Sequence, residues 1–354
     1  MNFDFNEEQY QLRDSVRGFL TDRWGVRKAR ASIGKFDRPL WTGLCDLGLQ
    51  TLLVPAEHGG SGLGLIDLVL VLEEFGSAMV PATMADTQLE SDVIGRYGSE
   101  SQRSACLPAI AAGEMRIAFA HALRDDAQVQ AGIAGNGISL RGLKIAVPCA
   151  EAATHFLVSA ADSHGSTGLY LCDATAVRVQ PHQAVDPMAL LGEVHLDGAP
   201  AQSLGTAALA RLLQTSAFSA AAQMVGVSAT ALDLAVAYAK DRKQFGRPIG
   251  AFQAIKHKCA DMLVALEGAR SAAYYASWAL QEDEAAAAMA VSMAKAACGD
   301  ACRLICNDAL QIYGGVGFTW EFDIHFLLKR GKLLEYQFGD ATQHRESVAA
   351  AILD

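Results

Sequence analysis

Cationic surplus is missing from this chain of 354 residues: 29 lysines and arginines stand against 39 aspartates and glutamates, a formal charge of −10. Lys and Arg nowhere gather into more than short clusters, so the electrostatic footprint of a DNA or RNA binder is absent and no nucleic-acid partner is expected. Long apolar runs are also lacking. The longest, such as Leu68 to Leu72, are far too short to cross a bilayer, so no membrane association is expected. The opening MNFDFNEEQYQLRDSV has no basic stretch leading into an apolar one, and so carries no mark for secretion. Paired cysteine spacings are missing as well. The eight cysteines, at 45, 106, 149, 172, 259, 298, 302 and 306, follow neither a metal nor a disulfide pattern, and a reducing cytoplasm is the expected location. Cys298, Cys302 and Cys306 share one helical face without further ligands nearby. They are expected as small buried residues, with no metal site.

What is present is core material. Residues are 51% apolar and 19% charged, and the length suggests two or three domains. Asn6 with Gln9 three residues on signals a helix start, followed by Leu12, Val16, Phe19 and Leu20 at helical spacing. Helical patterns continue through Trp41 to Leu47, Ile66 to Phe75, Asp92 to Tyr97 and Cys106 to Ala112. The Gly-rich VPAEHGGSGLG at 54–64 lacks the Lys-Ser/Thr ending of a phosphate loop and reads as an inter-helix turn. From Arg116 the texture shifts to short alternating runs at 138–145, 154–159, 168–172, 177–180 and 193–196, with a turn at Gly135-Asn136-Gly137. Such spacing predicts a small barrel or sandwich. Asp197 to Gly205 reads as a turn-rich return link. Beyond it, long helical patterns at 207–240, 253–281, 284–313 and 324–338, then a short one through Val348 and Ile352, favour an antiparallel bundle. The expected domains are a helical unit at 1–115, a β middle domain at 116–204 and a C-terminal bundle at 205–354.

Two stretches carry chemistry. In Tyr238-Ala239-Lys240-Asp241-Arg242-Lys243-Gln244-Phe245-Gly246, followed by Phe252-Gln253, a helix ends at a corner bearing a guanidinium suited to phosphate and a flat apolar ring. In Gln311-Ile312-Tyr313-Gly314-Gly315-Val316-Gly317-Phe318, a helix runs into paired glycines that let a backbone approach a ligand closely. With this domain order, the chain resembles the acyl-CoA dehydrogenase family over nearly its whole length. The resemblance implies a mainly α fold with a β middle domain: helical N-terminal domain, small β-barrel, C-terminal four-helix bundle. It implies FAD lying across a subunit boundary, with Arg242 at the pyrophosphate, Phe245 packed on the cofactor, and Gln311, Gly314 and Gly315 at the ADP part held by a neighbouring subunit. The implied reaction is α,β-dehydrogenation of an acyl-CoA, with an electron-transfer flavoprotein as acceptor.

The other half of the family's site departs from the pattern. Where relatives have a flavin-facing segment resembling TEPGAGSD, this chain has Ala120-His121-Ala122-Leu123-Arg124-Asp125-Asp126, and the family's W-I-T aligns with Ala146-Val147-Pro148. Alanine offers no aromatic face and proline no amide hydrogen. Phe338 of Gln337-Phe338-Gly339-Asp340 stands where the family places its catalytic glutamate, and a phenyl ring accepts no proton. The alternative acid position early in the first bundle helix falls near Ser216, and no acid lies between Gly205 and Leu232. Asp340 is a weak substitute and Glu335 another, each with a surface role as the blander expectation. His121, His257 and His344 are expected as polar surface or satisfied core, and Arg345 as a helix-end cation. The chain is thus similar to the degenerate partner in bacterial heterotetramers associated with oxidation of steroid side-chain CoA esters. That resemblance implies a homologous catalytic subunit as partner. Two other readings stay open: a self-sufficient homo-oligomeric dehydrogenase with a displaced acid, and a scaffold without flavin.

Overall fold

The computed structural model describes residues 4–121, 129–134 and 137–353. Its helices are α1 (Glu7–Arg23), α2 (Val26–Ala31), α3 (Arg38–Asp46), α4 (Leu65–Ser77), α5 (Thr83–Tyr97) and α6 (Glu100–Ala111), then α7 (Thr206–Asp241), α8 (Gln253–Glu282), α9 (Glu284–Tyr313), α10 (Ile324–Tyr336) and α11 (Ala341–Leu353). Strands β1 (Ile117–Ala120), β2 (Gln130–Ala134), β3 (Gly137–Val147), β4 (His155–Ala161), β5 (Thr167–Asp173), β6 (Arg178–Pro181) and β7 (Gly192–Gly205) precede α7. A short pair, β8 (Lys243–Gln244) and β9 (Arg247–Pro248), follows it. The architecture is mainly helical with a β middle region and a C-terminal helical domain, as the sequence led us to expect. Contacts divide the chain into two compact units, one of Met1–Ala31, Leu65–Val80 and Ala217–Asp354, the other of Ser32–Gly64 and Pro81–Ser216.

In the first unit, α1 starts where its capping signal lies. Asn6 Oδ1 accepts from the Gln9 N–H and Gln9 Oε1 from the Asn6 N–H, both at 2.9 Å, so two orphan donors of the first turn are satisfied reciprocally. Helix α4 is buried almost all round and carries two acids inward. Glu73 receives Arg270 Nε and Nη2 at 3.1 and 2.9 Å and the Tyr274 hydroxyl at 2.6 Å, while Glu74 receives Arg17 Nη2 at 2.6 Å. Paired in this way, the buried charges escape the desolvation cost of a lone carboxylate. Helices α4 and α7 meet backbone to backbone: a Cβ added to Gly226 would lie 1.9 Å from the Glu73 carbonyl oxygen, and one on Gly76 2.0 Å from that of Gln223. Hydroxyls lace the crossing, with Ser77 Oγ donating to the Gly226 carbonyl at 3.2 Å and Thr230 Oγ1 to the Ser77 carbonyl at 3.0 Å.

One expectation needs correction here. Although no unbroken apolar run is long, α7 is long and apolar enough, by length and composition, to cross a membrane; 67% of its most apolar window is buried inside the protein. Alanines interleaved with Ser, Thr and Gln conceal its length from a search for continuous apolar runs.

In the second unit the predicted sheet closes. Ring neighbours run β4–β5–β7–β3–β2, and the Gln130↔Ala161 pairing returns β2 to β4; β1 pairs the first part of β4 in parallel and β6 pairs β7. Inside lie Leu140, Phe156, Val158, Tyr170, Cys172, Val194 and Leu196. The stretch 197–205, expected as a link, is instead the second half of β7: Cys172↔Ala201 and Leu140↔Ala199 pair it on both sides. Of this half only Ala199 and Leu204 are buried, and its composition of Gly, Ala, Pro, Gln and Ser is what looks turn-like. Strands β1 and β2, absent from the sequence reading, are four and five residues long, and β1 is buried at every position and so shows no alternation.

Helix α5 carries an acidic feature with a measurable consequence. Burial raises the Asp86 carboxyl to about 7, and burial followed by the charge of Asp86 raises that of Glu90 well above its ordinary value. Both would ionise near pH 4 in the unfolded chain, so between pH ~4 and ~7 the fold holds protons that the unfolded state has released, and stability falls as pH rises through that window. Glu90→Gln should therefore melt above the wild type at about pH 8, with the gap narrowing at about pH 5. Differential scanning calorimetry at both values checks the sign; an equal gap would contradict the assignment.

Candidate cofactor-binding site

The corner after α7 is a tight hairpin. Lys243↔Pro248 and Gln244↔Arg247 pair, leaving Phe245 and Gly246 as the two turn residues, with φ of 51° and 78°. Positive φ at both positions is the two-residue turn that matches strand twist; glycine takes it freely and phenylalanine at a cost of about 1–3 kcal/mol. The turn holds the Phe245 ring 91% exposed, edge-to-face with Phe252 at a centroid separation of 6.1 Å. Arg247 covers Phe252, its guanidinium 4.2 Å from the ring centre. The Arg242 amide donates to the Tyr238 carbonyl and its own carbonyl accepts from Ile249, both at 2.8 Å, so the backbone is fastened while the guanidinium, exposed, has no partner among the described residues. An unpaired cation and a bare ring thus project from one rigid corner.

The second stretch ends α9. Gly314 takes φ 66° and ψ −151° at the C-cap, a conformation reserved for glycine, and its N–H reaches the Gln311 and Leu310 carbonyls. A Cβ on Gly315 would meet nothing within 4 Å, so nothing inside the chain demands glycine there. Gln311 is exposed on the last turn of the helix. The two stretches are brought to the same end of their unit by aromatic packing: Tyr238 stacks on Tyr313 with centroids 4.1 Å apart and 14° between planes, Phe322 packs edge-on against both, and the Tyr313 hydroxyl donates to the Leu234 carbonyl at 3.3 Å. Both tyrosines lay within the quoted motifs, but their partnership spans 75 positions and no local pattern announces it. A guanidinium, an aromatic face, an amide and glycine backbone together fit the diphosphate and adenosine portion of a dinucleotide.

Phe338, expected at the family's glutamate position, has φ 58° and Gly339 φ 99°. Buried Lys295, missed in the sequence reading, holds this segment by donating to the Glu335 and Gly339 carbonyls at 2.8 Å each; burial lowers its ammonium to about 8. His344 Nε2 lies 3.0 Å from the Phe338 carbonyl and its Nδ1 3.2 Å from Ser292 Oγ, and burial lowers its pKa. Neither nearby acid is free. Glu335 is buried rather than on the surface, with Arg303 and Lys332 each at 2.8 Å on its two oxygens. Asp340 caps α11, its Oδ1 accepting from the Gln343 N–H at 2.9 Å. Asp340→Asn keeps such a cap, so we expect a stability change below about 0.5 kcal/mol, and no loss of activity in a working complex. Loss of turnover with an unchanged melting temperature would restore Asp340 as the acid.

Arg345 is not at a helix end but in the second turn of α11, paired with Asp300. His257 is exposed on α8. In the barrel unit, His121 Nδ1 lies 3.0 Å from Ser159 Oγ, to which buried Lys144 also donates at 3.1 Å; burial, then the Lys144 charge, lowers the imidazole to about 4. Its ring stacks on Phe119 at 5.3 Å. The rest of the candidate flavin-facing stretch, Ala122 to Asp126, and the turn residues Gly135 and Asn136 lie outside the described residues. Ala146 takes φ 56° ahead of Val147 and Pro148. Ser216 is buried on α7. Among the described residues no group of three His, Cys, Asp or Glu side chains could hold a metal; Cys302 and Cys306 lie 3.9 Å apart as buried thiols.

Models of the acyl-CoA dehydrogenase N-terminal and C-terminal domains match residues 6–114 and 204–353. The acyl-CoA dehydrogenase IpdE2 of Mycobacterium tuberculosis is 31% identical over 332 residues, covering 92% of this chain and 91% of that one. The acyl-CoA dehydrogenase FadE34 of the same species is 32% identical over 92% of this chain, which spans only 45% of that longer relative. Of solved structures, the Tcur3481-Tcur3483 steroid ACAD G363A variant is similar with a TM-score of 0.90 and 30% identity, covering 98% of each chain. The ChsE4-ChsE5 complex from Mycobacterium tuberculosis gives a TM-score of 0.92 and 26% identity over 100% of this chain and 99% of that one. The protein belongs to the acyl-CoA dehydrogenase family.

Proposed function

We propose that this chain is the non-catalytic subunit of a heteromeric acyl-CoA dehydrogenase, lending the ADP-side half of an FAD site to a homologous catalytic partner. The observation that carries the reading is an asymmetry of the site. Arg242, Phe245, Gln311, Gly314 and Gly315 are displayed at one end of the helical unit, with the Arg242 guanidinium unpaired among the described residues and the Phe245 ring 91% exposed. Phe338 meanwhile occupies the glutamate position, and the adjacent carboxylates are committed to ion pairs or a helix cap. Arg242 would clamp the pyrophosphate, Phe245 would shield it from water, and the glycine backbone would admit the adenosine part. Bound FAD supplies the hydride acceptor for α,β-dehydrogenation of an acyl-CoA. The partner supplies the base and the flavin pocket, and an electron-transfer flavoprotein serves as acceptor. Likeness to a steroid dehydrogenase and to a two-subunit complex supports a steroid side-chain CoA ester as substrate and a heterotetramer as assembly.

The test is to purify the chain alone and after co-expression with a family member encoded beside it. We expect a colourless lone chain and a yellow, active complex. Flavin and dehydrogenase activity in the lone chain would overturn the proposal in favour of a self-sufficient enzyme.

A further inference from the structure

Antiparallel pairing sorts the side chains of a two-stranded ribbon onto two faces, because residues opposite each other share a face and successive residues alternate. In the hairpin after α7, Gln244 pairs with Arg247 and Lys243 with Pro248. The Ile249 N–H donates to the Arg242 carbonyl at 2.8 Å, which extends the pairing one step and sets Arg242 opposite Ile249. Arg242, Gln244, Arg247 and Ile249 therefore belong to one face, Lys243 and Pro248 to the other. Arg242 and Arg247 are diagonal neighbours on their face. Such neighbours stand about 7–8 Å apart, within reach of a common ligand for long side chains.

Neither charge is used inside the chain. Both guanidiniums are exposed, and among the described residues neither has a hydrogen bond or an ion pair. From Leu234 to Ala260 the sole carboxylate is Asp241, against Lys240, Arg242, Lys243, Arg247, Lys256 and Lys258. Asp241 pairs with neither arginine. Like charges side by side on a ribbon repel, and an anion between them reverses the sign of the interaction.

Arg247 is also held in place. Its guanidinium lies 4.2 Å from the centre of the Phe252 ring, and Phe252 is the N-cap of α8, where no side chain caps the helix and the first turn carries no acid. A ring beneath a guanidinium narrows its rotamers while its N–H donors stay available to a ligand. The uncapped start of α8 adds partial positive charge in the same place.

We infer that Arg247 is a second phosphate-binding residue, so that this face of the hairpin grips a diphosphate with two guanidiniums, Arg242 on one phosphoryl group and Arg247 on the other. On the half-site reading, on which this rests, the diphosphate is that of FAD. Phe252 is the positioning residue that aims Arg247. Two cations on one face make the corner selective for a pyrophosphate over a single phosphate, because a monophosphate engages one guanidinium fully and leaves the other without a partner.

The co-expressed complex, stripped of flavin, is titrated with FAD, ADP and AMP by calorimetry. Arg247→Met keeps an unbranched stem over Phe252 and removes the charge, so its melting temperature should match the wild type. Its affinity for FAD and ADP should fall about tenfold, the equivalent of one charge-assisted hydrogen bond, and the preference for ADP over AMP should narrow. Arg247→Lys should recover part of the loss, since the charge returns without the fork. The deficit of Arg247→Met should shrink as salt is raised, because screening weakens the interaction that the wild type retains; a merely structural role would leave it indifferent to salt. Wild-type affinity for ADP and FAD in Arg247→Met, an equal loss for ADP and AMP, or a loss unmoved by salt overturns the inference. If Arg242→Ala loses flavin and Arg247→Met keeps it, this inference alone fails. A complex that takes up neither FAD nor ADP removes the half-site reading and this inference with it.

Discussion

Arg242→Ala should strip FAD from the co-expressed complex while leaving the fold intact. The side chain is exposed and takes part in no hydrogen bond or ion pair among the described residues, so its removal deprives nothing inside the chain. The backbone that positions it is secured by the Tyr238 and Ile249 hydrogen bonds, which the substitution does not touch. A guanidinium paired with phosphate contributes charge-assisted bonds of about 1.5–3 kcal/mol each, so cofactor affinity should fall roughly 10- to 100-fold or more. Arg242→Lys should fall between, because a point charge keeps the attraction and loses the fork. Flavin absorbance per complex after gel filtration is the measurement, with far-UV circular dichroism as the control for folding. Full flavin occupancy in Arg242→Ala would remove this residue from the site.

Gly226→Ala should be among the most damaging single-methyl additions in the chain. Its Cβ would lie 1.9 Å from the Glu73 carbonyl oxygen and 2.6 Å from the Ser77 backbone nitrogen. Both are backbone atoms of a buried helix and cannot swing aside, so α4 and α7 must separate. That separation would stretch the Ser77 and Thr230 hydrogen bonds and disturb Glu73, which anchors Arg270 and Tyr274. Overpacking of this kind costs about 3 kcal/mol or more, a drop in melting temperature of about 4 °C or more. Gly268→Ala is the matched control. It lies in α8 with nothing within 4 Å of the added Cβ, and alanine's better helix propensity should stabilise it by up to about 1 kcal/mol. Equal melting temperatures for the two variants would show that the crossing relaxes more easily than its geometry implies.

The helices were legible because their signals are local and repeated. The Asn6 and Gln9 capping box, the turn at Gly314, and the four long patterns after residue 205 each report on neighbours within one or two turns, and the helix ends fall within a few residues of those signals. Strands were less legible. Alternation revealed β3, but β1 is buried at every position and so does not alternate, and the Gly, Ala, Pro and Ser of β7 imitate a link. The candidate site divides along the same line. Its chemistry, a cation and an aromatic at one corner and paired glycines at another, could be read from residue types.

By itself the sequence determined the fold class and the family, since these depend on periodicity and on motifs of about nine residues. Only the tertiary structure decided that Tyr238 and Tyr313 stack to bring the two motifs to one end, that Lys295 and His344 tie down the segment around Phe338, and that Glu335 is buried in ion pairs while Asp340 serves as a helix cap. It alone showed that Glu90 on α5 is buried with neither carboxylate oxygen hydrogen-bonded. The physical reason is that pairing and burial depend on which groups meet across tens or hundreds of residues, and a carboxylate's sequence neighbours say nothing of whether a guanidinium, a backbone amide or no partner at all awaits it in the fold.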